Sequence, residues 1–210
     1  MSSHVTAAAP TSAWEGGKSP YATNSKKFGM WLFIISDSLT FSALLFAYTY
    51  SRVANPDWPK PFDFFPSIIF SSVMTFCLLS SSLTMVMAVH AMNHGNRKAT
   101  VGWILATIVG GLAFVVLHIS EWLNLINNEH VTPFGNEWGV PLFGGTFFAL
   151  TGLHMTHVII GVIYLGIIAF AVGRGKFKYE DVEVSGLYWH FVDLVWMFIF
   201  PLVYLMSAKI

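Results

Sequence analysis

Five long apolar stretches dominate the chain, at Phe28–Tyr50, Pro66–Met92, Val101–Trp122, Pro141–Val172 and Leu187–Ser207. Each reaches the roughly 20 residues that a helix rising about 1.5 Å per residue needs to cross about 30 Å of hydrocarbon. None contains Lys or Arg. Lipid offers no hydrogen-bond partner to backbone N–H and C=O groups, so a span must be a helix or part of a closed barrel. The alternation of a barrel strand is absent. The pattern therefore predicts an all-α polytopic membrane protein, a single bundle of five transmembrane helices over residues 28–210 with short loops and no soluble domain.

Residues 1–27 read as a polar arm, rich in Ala, Ser, Thr, Gly and Pro. No basic start precedes an apolar core, so the arm does not read as a cleavable signal peptide. It is expected to be mobile or to dock on a partner, with Trp14 and Tyr21 as anchors at a headgroup surface or on that partner. The basic residues set the orientation. One side of the membrane receives Lys18, Lys26, Lys27, Arg97, Lys98, Arg174, Lys176 and Lys178, and the other only Arg52, Lys60 and Lys209. The positive-inside rule then places the N-terminus in the cytoplasm and the C-terminus outside.

Composition narrows the function classes. Charged residues make up 10% of the 210 and hydrophobic residues 55%, against about 25% charge in a soluble domain. Net charge is zero, which leaves no basic surplus for nucleic acid. The single cysteine, Cys77, has no partner for an internal disulfide. No phosphate-cradling glycine loop and no nucleophile elbow is present. The inventory is too thin for an independent catalyst, and no catalytic residue is assigned.

The few ionisable groups inside the spans each need an account, because a charged Asp at mid-helix costs about 2.5–3.5 kcal/mol on insertion scales. Asp37 lies ten residues into the first span. It is either a carboxyl bonded to a neighbouring helix or a proton-uptake or interface carboxyl. His118, Glu121 and Trp122 stand at i, i+3 and i+4 near the outer end of the third span, where Glu121 reads as a cap or an interhelix bond. His154 and His157 sit midway along the fourth span. The same helix carries Gly145, Ala149, Gly152 and Thr156 on one small-residue face, and Gly161 on the histidine face, positions that allow close helix contact. His190 and Asp193 share a face of the last span, where an Asp–His or Asp–indole bond to Trp189 is available. Haem or metal ligation by these histidines needs further ligands at one depth. His118 towards the outside and His190 towards the inside do not supply them, so no metal site is assigned. The hydroxyls of the second span, from Ser71 to Thr84, read only as helix packing. His94, Arg97 and Lys98 at its inner end suit anionic lipid headgroups or are ordinary inside charge.

Four segments in combination carry a resemblance to a known family. These are Phe33-Ile34-Ile35-Ser36-Asp37, Ile119-Ser120-Glu121-Trp122, the run from Gly145 to Gly161 containing His154-Met155-Thr156-His157, and Tyr188-Trp189-His190-Phe191-Val192-Asp193-Leu194-Val195-Trp196. From about Lys26 to Met206 the chain resembles subunit III of the haem–copper terminal oxidases, the cytochrome c oxidases and related quinol oxidases. The resemblance implies an accessory subunit without a redox centre in aerobic respiration. Its partners would be the catalytic subunit I and subunit II, which hold haem and copper, with membrane lipids and, in a larger assembly, other respiratory complexes. It also implies support for proton uptake, for stability during turnover, and for lipid or oxygen access, with bound phospholipid. Asp37 falls on the family's buried carboxyl, there usually Glu and reactive to a hydrophobic carbodiimide; Asp is one methylene shorter. Glu121, His154, His157, His190 and Asp193 match family positions, and Arg97 matches a basic headgroup contact. Many members have seven helices, and the five here correspond to the last five, which implies the short form of a bacterial inner membrane. The residues alone also leave open a small haem-binding membrane cytochrome, using His154 or His157 with His118 or His190. A proton-coupled carrier built on Asp37 is open as well.

Overall fold

The computed structural model describes residues 25–137 and 139–209. Five helices long and apolar enough to cross a membrane run in chain order: α1 Ser25–Ala54, α2 Ile69–Asn93, α3 Arg97–Asn128, α4 Pro141–Gly173 and α5 Tyr179–Ile199. The protein is thus an all-α polytopic membrane protein. The predicted arm of residues 1–27, with Trp14 and Tyr21, lies outside the described residues except for Ser25, Lys26 and Lys27, which already belong to α1.

The apolar runs locate every helix but underestimate three of them. α3 continues past Trp122 to Asn128, through the polar Asn124, Asn127 and Asn128, and α5 begins at Tyr179 rather than Leu187. These extra turns are polar and stand beyond the hydrocarbon, where hydropathy has no say. The N-terminus of α5 is fixed by a capping box in which the Asp181 carboxylate accepts from the backbone N–H of Lys178 at 3.0 Å. Asn96 caps α3 by accepting from Ala99 N at 3.1 Å. Beyond Ile199 the last span widens into a π-helical turn, Phe200–Tyr204, and a 3-10 turn, Leu205–Ser207. Pro201 has no N–H to continue the α ladder there. Two short extended segments, β1 Phe62–Asp63 and β2 Ala208–Lys209, pair in parallel and tie the α1–α2 loop to the C-terminal end.

α2, α3, α4 and α5 form the core, in which Trp189 of α5 is the central piece. Its ring fits between two glycines: a Cβ at Gly111 of α3 would fall 2.5 Å from Trp189 Cη2, and one at Gly161 of α4 2.9 Å from Trp189 Cζ3. Its indole Nε1 donates to Ser81 Oγ of α2 at 3.0 Å. One side chain therefore touches the other three helices of the core. α1 is different. Only 6% of its most apolar window is buried, and it leans on α4 and α5 through Ile34, Phe41 and Tyr48.

Candidate functional site

Polar contacts at three depths hold α1 to the bundle. At its N-terminal end, Lys26 Nζ lies 2.6 Å from Asp181 Oδ1 and Lys27 Nζ 2.7 Å from Glu183 Oε1. At the opposite end the Tyr48 hydroxyl meets Ser207 Oγ at 2.9 Å, and Arg52 donates to Met206 O at 2.5 Å. In the middle, Asp37 Oδ2 sits 3.2 Å from His157 Nε2 of α4, with side-chain exposures of 14% and 12%.

The histidine's other nitrogen decides what this middle contact can do. His157 Nδ1 is 2.8 Å from Leu153 O. A carbonyl oxygen only accepts, so Nδ1 carries hydrogen. Nε2 is thus the nitrogen turned towards the Asp37 carboxyl, close to it but without a hydrogen bond aligned on Oδ2. An acid facing an imidazole gives each of these two ionisable groups a polar neighbour at this depth. Phe41 of α1 closes one edge of the imidazole with ring centroids 5.2 Å apart, and the Tyr188 hydroxyl donates to His157 O at 3.0 Å. Three helices thus converge on this acid–imidazole pair.

The remaining polar sequence candidates inside the spans lie among α2, α3, α4 and α5. Glu121 of α3 is buried and accepts from the Tyr204 hydroxyl at 2.8 Å on Oε2 and from Ser71 of α2 on Oε1. It bonds across helices at two points. His154 Nε2 donates to Val192 O of α5 at 3.1 Å. His118 is fully buried with its ring against Phe114, Trp122 and Trp196 at centroid distances of 5.5, 5.3 and 5.4 Å. His190 Nδ1 meets Ser82 Oγ at 2.9 Å, beside Asp193 one turn on. The indole bond considered for Asp193 is not made: Trp189 spends its N–H on Ser81 because that hydroxyl faces it across the α2–α5 contact.

His118 and His154 come closer than their sequence depths suggest, since both rings pack on Trp196 and Phe114. The packing is aromatic face and edge, with ring centroids 4.8–5.6 Å apart. Among the described residues, no three His, Cys, Asp or Glu side chains converge as a metal set. His157 faces Asp37 and His190 faces Ser82, while His118 and His154 share Phe114 and Trp196.

His94, Arg97 and Lys98 are exposed together at the end of the bundle where α1 starts, with Arg97 lying against Gly175. Of the candidate packing glycines, Gly161 sits at the tightest approach and Gly152 is the next. The nearest atom to a Cβ at Gly152 is Trp122 Cη2 at 3.3 Å, and at Gly145 it is Pro133 O at 3.5 Å. Ala149 and Thr156, on the same predicted stripe, are exposed. The close contacts fall instead at Gly110, Gly111, Gly144 and Gly161.

The family model described as cytochrome c oxidase subunit III matches residues 5–208 of the chain. The chain belongs to the cytochrome c oxidase subunit III family. It is 33% identical over 188 residues to a cytochrome c oxidase subunit 3 of Alkalihalophilus pseudofirmus, covering 88% of each chain. It is 35% identical over 182 residues to a quinol oxidase subunit 3 of Bacillus spizizenii, covering 85% of this chain and 86% of that one. A whale relative, the cytochrome c oxidase subunit 3 of Balaenoptera musculus, is 33% identical over 205 residues, 92% of this chain and 74% of its own. The protein is accordingly an accessory subunit III of a haem–copper oxidase. Sequence reasoning missed four polar partners in this subunit III fold: Ser71 and Tyr204 on Glu121, Ser81 on Trp189, and Thr75, whose Oγ1 accepts from Trp196 Nε1 at 2.9 Å. The only sequence sign was the density of hydroxyls on the second span, which ordinary backbone bonding also explains.

Proposed function

We propose that this subunit carries no redox centre of its own and works by flanking the catalytic subunit I in a bacterial plasma membrane, with subunit II as a further neighbour. Haem and copper belong to those partners. The Asp37–His157 pair, an acid and an imidazole 3.2 Å apart joining the least buried helix α1 to α4, is the observation that carries this reading. An acid beside an imidazole at mid-span can pass one proton on and take up another in its place, which returns the pair to its starting charge. It is thus suited to supporting proton supply to a neighbour while fixing α1 against the bundle. The exposed His94, Arg97 and Lys98 contribute a headgroup contact on the cytoplasmic side, where phospholipid binds.

The test is a pair of variants in the assembled oxidase. Asp37→Asn should leave assembly and the first turnovers near the unmodified level, and lower the number of turnovers before inactivation several-fold. Asp37→Glu should restore most of that number. Full loss of electron transfer in an intact complex, or no change in either variant, contradicts the proposal. A small membrane cytochrome and a proton-coupled carrier remain distinguishable: the first predicts haem absorbance in the separated chain, the second uptake by the chain alone in liposomes. The match to the subunit III family supports the accessory reading over the cytochrome.

A further inference from the structure

Between α3 and α4, at the end of the bundle where α1 finishes, the chain makes a tight hairpin with Phe134 at its tip. Phe134 is 93% exposed, the highest value for a large apolar side chain among the described residues; the next, Val53, reaches 80%. The hairpin is not loosely held. Thr132 N donates to Gly135 O at 2.9 Å, and Gly135 N donates back to Thr132 Oγ1 at 3.1 Å. Asn136 braces the start of α4 through Val140, donating from Nδ2 to its carbonyl at 2.6 Å and accepting its N–H at 3.2 Å. Val131 is fully buried, and its N–H reaches Leu125 O of α3 at 3.2 Å. The first turn of α4 lies flush on the hairpin backbone: a Cβ at Gly144 would fall 2.1 Å from Thr132 O.

We infer that this hairpin is a preformed docking knob, and that Phe134 inserts into an apolar pocket, rimmed by Lys or Arg, on a neighbouring polypeptide of the complex. A rigid aromatic side chain presented on a braced turn loses little entropy on binding, which is what an interface anchor requires. The charge around it selects the occupant. No Lys or Arg occurs from Leu123 to Val140, while Glu129 and Glu137 flank the turn. An anionic lipid surface repels such a loop, and membrane anchors carry the opposite charge. A basic-rimmed protein pocket complements it. A second copy of this chain would bring the same acidic loop. The inference rests on membership of an oxidase complex and is independent of the role proposed for Asp37.

The experiment places p-benzoylphenylalanine at position 134 of the full chain in native membranes, irradiates, purifies the complex and sequences the adducts. Position 116 on α3, where Val116 is 62% exposed, serves as a lipid-facing control. The expected result is one dominant adduct at position 134 to another chain of the oxidase, on a surface carrying Lys or Arg, and lipid adducts at position 116. Phe134→Ser should leave helix content unchanged and lower retention of the chain in high salt about tenfold, the effect of losing one anchor. Glu137→Lys should weaken retention in the same direction. Lipid adducts at both positions, an adduct to a second copy of this chain, or no adduct at position 134 overturns the inference. Since the control variant still co-purifies with the haem–copper chains in those cases, the accessory role would stand while the docking knob fell.

Discussion

At the scale of single residues, several of the bundle's buried polar groups find a donor or acceptor on another helix. Glu121 shows the energetics. Replacing it by Leu leaves the Tyr204 hydroxyl and Ser71 of α2 without their shared acceptor. An orphaned buried hydroxyl costs about 1–3 kcal/mol, so Glu121→Leu should lower thermal stability in detergent by that order, while Glu121→Gln, which keeps an acceptor, should lose less. A melting comparison of the two variants checks it; equal losses would mean that shape rather than hydrogen bonding governs the site. The carboxyls and histidines stood out in the sequence because they are expensive in lipid. Their partners did not. Ser81 also donates to Leu78 O at 2.6 Å within its own helix, as any helical serine can, so its role as acceptor for Trp189 had no separate signature.

At the scale of elements, helix identity was legible and helix contact was not. An uncharged apolar run long enough to span can only be a helix, whichever neighbours it has. Contact depends on which small residue faces which large one. The stripe of Gly145, Gly152 and Thr156 faces the rim and the exterior, whereas Gly111 and Gly161 clasp Trp189 from two sides. Gly161→Leu should therefore force α4 away from α5 and cost about 1–3 kcal/mol or more. Gly152→Leu meets only the edge of Trp122 and should cost less. Retention of folded protein on size-exclusion chromatography after heating separates the two; a larger loss at Gly152 would refute the clasp. α1 is attached by polar latches at three depths with little burial. In hydrogen exchange its amides should open at lower free energy than those of α2, and Tyr48→Phe should widen the difference. Equal protection of α1 and α2 would mean that the latches add nothing.

At the scale of the whole molecule, the distribution of charge orients the bundle. Among the described residues Lys26, Lys27, Arg97, Lys98, Arg174, Lys176 and Lys178 gather at one end, and Arg52, Lys60 and Lys209 at the other. With Cys77 replaced by Ser, a cysteine at position 98 should react with an impermeant thiol reagent only from the cytoplasmic side, and one at position 134 only from outside. The opposite labelling would invert the assignment. The central claim is that a bundle whose buried histidines are all engaged in helix-to-helix contacts supports a redox neighbour without being one. It is tested most directly by measuring haem per polypeptide after purification through a tag on this chain, first in mild detergent and then after the chain is separated from its partners. The account predicts haem and copper in the mild preparation and no haem absorbance in the separated chain. Stoichiometric haem on the separated chain, or a mild preparation without any haem–copper partner, would contradict it.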